Sequence, residues 1–208
     1  MRLPPLALTV LASLVTPAIS HGIDISQDTT WTGTISVDED LLVSSGVPLT
    51  VAAGSEIQIA NDVTLRVRGR LMADGTEGEP IRFTRQSGGS QWKQILFLDF
   101  DASRLSHCIV EYADCEGDHK DYDDDKDASC NPITEWPPRD YNETIAVISS
   151  HVDFDACTFE NLPDGGSNAE GDAIAVISDD IEVPGPATAH ITRSSFVGIG
   201  QGIHTRYS

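Results

Sequence analysis

Between Leu49 and Phe83, apolar residues come in pairs on an eight-residue beat: Leu49/Val51, Ile57/Ile59, Leu65/Val67 and, after one skipped beat, Ile81/Phe83. A helix would need apolar residues three and four positions apart to make one face. Alternation with period two, as in Ile57-Gln58-Ile59 and Leu65-Arg66-Val67, instead makes short strands that are apolar on one side. Gly54, Asn61, Asp62, Gly69, Asp74 and Gly75 separate them and supply turn residues. Three such strands and their turns make a coil of roughly 24 residues, within the usual range of solenoid repeats. Coils stacked about 4.8 Å apart pair in parallel and merge their apolar residues into continuous ladders. The pattern predicts an all-β fold, a parallel β-helix (single-stranded solenoid) over residues 31–208, with 21–30 as a lead-in.

The beat loosens after Phe97 but continues. Ile145-Ala146-Val147-Ile148-Ser149 recurs as Ile174-Ala175-Val176-Ile177-Ser178, and Phe196 echoes Val110 and Phe159. Two insertions interrupt it, an acidic one at 113–142 and a glycine-rich one at 163–171; insertions at solenoid turns project from one face, where such proteins often bind. Asn161 falls where stacked turns would align polar amides. Gly200-Gln201-Gly202-Ile203-His204 reads as the start of another strand with no polar cap after it. Solenoids need capping repeats, so either a partner or a second copy is expected to cover this end or, as the favoured reading, the sequence is truncated at its C-terminus.

Residues 1–20 read as a signal peptide, with Arg2, an apolar stretch from Leu6 to Val15 and the small residues Ala18-Ile19-Ser20. No run approaches the roughly 20 apolar residues of a membrane span. The expected location is secreted: extracellular, periplasmic or at the cell surface. Cleavage would leave His21 first. Copper oxygenases use such a histidine, but with a second histidine on a β-sandwich, which this chain does not resemble. The formal net charge of -20 argues against nucleic acid or anionic membrane as partner.

Four cysteines in a secreted chain allow three pairings. Cys115 and Cys130 flank the acidic insertion, and a disulfide between them would close a loop of about 15 residues, contributing roughly 3 kcal/mol. Cys108 and Cys157 hold matched places in two repeats and are expected to stack as small apolar residues. Asn142-Glu143-Thr144 is a glycosylation acceptor sequence in a eukaryotic source.

Trp31-Thr32-Gly33-Thr34-Ile35, the stretch Gly46 to Gly54, the stretch Val63 to Leu71 and Pro80-Ile81-Arg82-Phe83-Thr84 together resemble the opening coils of secreted right-handed parallel β-helix proteins of the pectin-lyase-like superfamily. The likeness is strongest over residues 31–112. Where that family carries tryptophan-x-glycine-isoleucine, this chain has Trp92-Lys93-Gln94-Ile95, without the glycine. The resemblance implies a right-handed coil. It also implies either an extracellular module that binds carbohydrate or a surface protein, or a polysaccharide lyase or glycoside hydrolase acting on an acidic polymer.

Several residue groups suit those functions. Asp121, Asp123, Asp125 and Asp127 alternate, so a turn could aim several carboxylates at one calcium ion. The EF-hand pattern fails, because its glycine and glutamate positions hold Lys126 and Pro132. Asp99/Asp101 and Asp153/Asp155 are carboxylate pairs two residues apart, each sharing a strand face. Inverting hydrolases hold two carboxyls about 6.5–9.5 Å apart. Of the polygalacturonase motifs that the resemblance brings in, only a double aspartate, Asp179-Asp180, has a counterpart. Asp153, Asp155, Asp179 and Asp180 are therefore the catalytic candidates, with Arg104 or Arg193 as the base of a lyase. Trp136 and Tyr141 are candidate sugar-stacking residues. His107, His151 and His190 lack metal-ligand spacing in sequence and read as coil-surface residues. Binding without catalysis is the favoured function.

Overall fold

The computed structural model describes residues 22–98, 101–114, 144–162, 172–178, 185–199 and 201–207, and every regular element among them is a strand. The first coil consists of β1 (Ile23–Ile25), β2 (Thr29–Trp31) and β3 (Thr34–Val37). The second has β4 (Leu41–Val43), β5 (Pro48–Val51) and β6 (Glu56–Ile59), and the third β7 (Thr64–Val67), β8 (Arg70–Asp74) and β9 (Ile81–Arg85). β10 (Gln94–Leu98), β11 (Ala102–Ser106) and β12 (Cys108–Glu111) form the fourth; β13 (Ile145–Ile148), β14 (His151–Asp155) and β15 (Thr158–Glu160) form the fifth. β16 (Asp172–Ser178), β17 (Thr188–Thr192) and β18 (Ser195–Val197) form the sixth, and β19 (Gln201–Tyr207) opens another.

Each strand pairs in parallel with the strand three places on, giving three sheets. The first runs β1-β4-β7-β10-β13-β16-β19, the second β2-β5-β8-β11-β14-β17 and the third β3-β6-β9-β12-β15-β18. This is a parallel β-helix, as the eight-residue beat predicts. Leu41 pairs with Leu65, 24 residues on, and the ladder continues through Ile95, Ile145 and Ile174.

The core is the sum of such ladders. In the second sheet Trp31, Val51, Ala73, Leu105, Phe154 and Ile191 are stacked in register. The third sheet stacks Ile35, Ile57, Phe83, Val110, Phe159 and Phe196. Phe159 lies parallel to Phe196 at 5.0 Å and edge-on to Phe154 at 5.9 Å, so one aromatic cluster joins two sheets inside the coil. Trp92 is fully buried and donates its indole N–H to the Glu111 carbonyl at 2.9 Å. Gln94 opens β10 opposite Thr64, and the coil continues through it.

Two features depart from the simple beat. The skipped beat is occupied: Leu71 and Ala73 of β8 are buried, six residues after Leu65 and Val67 rather than eight. Gly69 permits this tight corner, since a Cβ there would meet the Val47 carbonyl oxygen at 2.1 Å. The first sheet, moreover, is apolar on both faces at β10, β13 and β16. Leu96, Leu98, Ala146, Ile148, Ala175 and Ile177 point away from the main core, yet they are buried and form a second cluster. Strands buried on both faces read as unbroken apolar runs, which is what Ile95–Leu98, Ile145–Ile148 and Ile174–Ile177 are.

The corners repeat as well. His107, Ala156 and Arg193 occupy one corner of successive coils with φ of 48°, 52° and 51°, and Tyr112, Asn161 and Gly198 occupy another with 59°, 53° and 65°. The left-handed conformation costs roughly 1–2 kcal/mol per residue with a Cβ, so packing of the flanking strands sustains it. Asn161 uses its corner to donate to Glu111 Oε2 at 3.3 Å, across one coil.

Two stability predictions follow from this packing. Phe154→Ala removes the ring that joins two sheets and should destabilise the chain by about 3–5 kcal/mol in urea unfolding; a loss below 1 kcal/mol would mean that the aromatic cluster is not packed as described. Ala156→Gly relieves a left-handed alanine and should raise stability by about 1 kcal/mol, whereas a loss on the same scale would contradict that corner geometry.

Candidate functional site on the outer face of the second sheet

Val152 and Phe154 of β14 point into the core, so His151, Asp153 and Asp155 share the outer face. The next coil sets β17 beside them with His151 opposite Thr188, Asp153 opposite His190 and Asp155 opposite Thr192. The coil on the other side sets Arg104 opposite Asp153 and Ser106 opposite Asp155. Side chains 37 and 49 residues apart in sequence thereby become neighbours.

Two constellations occupy this face. In the first, His190 Nδ1 lies 3.3 Å and His151 Nε2 3.6 Å from the same oxygen of Asp153, Oδ1. The two imidazoles meet edge to face with centroids 5.0 Å apart, and the three donor atoms fit within 4.8 Å of one another. His151 Nδ1 is hydrogen-bonded to Thr188 Oγ1, which fixes the ring and leaves Nε2 toward Asp153.

In the second, Arg193 grips Asp155 with two guanidinium nitrogens, Nε at 2.9 Å from Oδ1 and Nη2 against Oδ2, while Thr192 donates its hydroxyl at 2.8 Å. Arg193 reaches back because its corner backbone is left-handed. The Arg193 hydrogen bonds first, and then that from Thr192, lower the Asp155 pKa from an ordinary 3.8 to about 2. Asp155 is thus an ionised carboxylate at neutral pH. It is suited to holding a cation or accepting hydroxyl groups, and unsuited to donating a proton. Next to it, Arg104 Nε lies 3.2 Å from Asp74 Oδ1, so that arginine is also directed to a carboxylate other than Asp153.

Asp153 and Asp155 do share an outward face, as their spacing predicts, and Arg104 and Arg193 lie on the same face. Asp101 is elsewhere: its Oδ2 accepts the Gly46 N–H at 3.1 Å. Among the other candidates, Asp99, Asp179, Asp180, Asp121, Asp123, Asp125, Asp127, Cys115, Cys130, Trp136, Tyr141 and Asn142 lie outside the described residues, as do residues 1–21. Cys108 and Cys157 are buried free thiols on successive coils, in the stacked arrangement expected of them. The hydrogen bond to Cys157, followed by burial, holds the Cys108 pKa well above the ordinary thiol value. Among the described residues no helix is long and apolar enough to cross a membrane.

Sequence spacing alone leaves His151 and His190 as unrelated surface residues, and the structure joins them. One cue was present. The offset that carries Phe159 onto Phe196 also carries Asp153 onto His190. Compared with known protein families, curated proteins and solved structures, the chain matches none.

The Asp155 pair sets a pH dependence. Its pKa is lower folded than unfolded, so its contribution to stability is complete above the ordinary carboxylate value of 3.8 and is lost as pH falls toward about 2. Arg193→Ala should return the Asp155 carboxyl to the ordinary range in an NMR titration and weaken acid resistance within that window. An unchanged titration would show that Arg193 does not hold Asp155.

Proposed function

We propose that this chain is an extracellular binding module, a right-handed β-helix that presents the outer face of its second sheet to a carbohydrate or a surface protein. One observation carries the reading: Arg104, Asp153 and His190 stand in register on three successive coils, in an exposed polar row along the solenoid axis. Sheet neighbours repeat about every 4.8 Å, so an extended polymer lying along that axis would meet a hydrogen-bonding side chain at each coil. The backbone ladder fixes the row in advance, which limits the ordering cost of binding.

The competing reading is a polysaccharide lyase or hydrolase. An inverting hydrolase needs one carboxyl protonated to release the leaving group. Asp155, lowered to about 2 and gripped by the Arg193 fork, is not the protonated member of such a pair.

Affinity electrophoresis against pectate, alginate and neutral polysaccharides tests the proposal. Retardation by at least one polymer is expected, weakened about tenfold or more by combined Arg104→Ala and His190→Ala. Depolymerisation that disappears in Asp153→Asn would overturn it in favour of catalysis. Binding that is unaffected by the double substitution would move the site off this face.

A further inference from the structure

The cluster of His151, Asp153 and His190 has a chemistry that polymer contact does not need. Both imidazoles converge on one carboxylate oxygen, at 3.3 and 3.6 Å. These separations are longer than a good N–H···O bond, which runs about 2.7–3.2 Å. The shorter matches the edge of a coordination tetrahedron and the longer exceeds it by a few tenths of an ångström: with metal–ligand bonds of about 2.0–2.1 Å, adjacent ligand atoms lie about 3.3–3.4 Å apart. We propose that His151 Nε2, His190 Nδ1 and Asp153 Oδ1 form a binding site for a zinc-class divalent cation, with water completing its coordination.

The donor set selects the class of ion. Calcium and magnesium take shells of oxygen, whereas two imidazoles with one carboxylate suit zinc and its first-row neighbours. The surroundings support the same assignment. His151 is oriented by Thr188 through Nδ1, the outer hydrogen bond that metal-bound histidines usually make; with Nδ1–H donating to the threonine, the Nε2 lone pair is left for the ion. The two nearest cations do not compete for Asp153, since Arg104 is directed to Asp74 and Arg193 to Asp155. All three ligands stand on paired strands whose register is set by the ladder, so closing on an ion needs rotation of side chains and not movement of the backbone. Three protein ligands also leave a coordination position open to water or to an oxygen of a bound molecule.

The site stands whether or not the same face binds a polymer, and its test uses the metal alone. The full chain, stripped with chelator, would be titrated with zinc by calorimetry and with cobalt(II) as a visible-absorbing substitute. The expected result is a zinc-binding event that His190→Ala and Asp153→Asn each weaken at least about tenfold, with a four-coordinate cobalt spectrum that both substitutions abolish. Thr188→Val should keep the stoichiometry and weaken affinity about 10–100-fold, the usual cost of losing an outer-shell partner. Far-UV circular dichroism would confirm that the variants fold, and the near-isosteric Asp153→Asn decides if an alanine variant does not. Carboxylates elsewhere in the chain are unaltered by these changes, so zinc held there would persist. Identical isotherms for the wild type and a His151→Ala/His190→Ala variant would overturn the proposal, as would a purely six-coordinate cobalt spectrum.

Discussion

The parallel backbone pairing of each strand with its counterpart one coil away is the interaction on which the rest of this molecule depends. It places equivalent residues over one another, so a single apolar position repeated along the sequence becomes a continuous ladder in the core. The pairing tolerates interruption. Ile95 and Ile145 are separated by 50 residues, yet they stack in the same register that joins Leu41 to Leu65 across 24. Chain inserted at a corner changes what leaves the coil and not what the strands bury. Closing a longer loop costs only about 0.6 kcal/mol per doubling of length, which the hydrogen bonds and apolar contacts of one restored coil can offset.

The same register governs the outside. Stacking brings like over like, which suits isoleucine but is unfavourable for charge. The surface answers with cross-coil partners. Glu111 lies opposite Glu160, and its carboxylate is taken by Arg82 at 2.6 Å and by Asn161. Arg66 lies 3.1 Å from Asp40, and Arg104 approaches Asp74. The exposed Arg104–Asp74 pair contributes modestly to stability, about 0–1 kcal/mol, whereas Glu111 is buried and depends on its partners for its hydrogen bonds.

Much of this was legible in the residues themselves. Period-two alternation at Leu49/Val51 and Ile57/Ile59 leads directly to strands, and the repeated Ile-x-Val-Ile-Ser segments lead to coils stacked in register. The pair Leu71/Ala73 was obscured because alanine barely registers as apolar and the corner before it is shortened by Gly69. The second apolar face of the first sheet was written in four-residue runs such as Ile145–Ile148, which alternation alone treats as noise. The His151–Asp153–His190 cluster was hardest to see. His190 lies one coil beyond His151 and Asp153, and coil length varies, so the offset that relates them emerges only once Phe196 is set against Phe159.

Variable coil length also explains how one strand acquires two kinds of carboxylate. Asp153 and Asp155 are chemically identical, stand two residues apart and face the same way. The sixth coil distinguishes them: it sets His190 beside Asp153, and at its corner a left-handed Arg193 folds back onto Asp155. One carboxylate is committed to a guanidinium fork, which holds it ionised down to a pH of about 2. The other is left facing two imidazoles, whose ring nitrogens and its own oxygen can converge on a cation. A solenoid thus needs no cleft to differentiate its surface groups. Changing the side chains that the next coil lays over a strand is enough, and because the ladder holds both coils rigidly, that difference is built in before any ligand arrives.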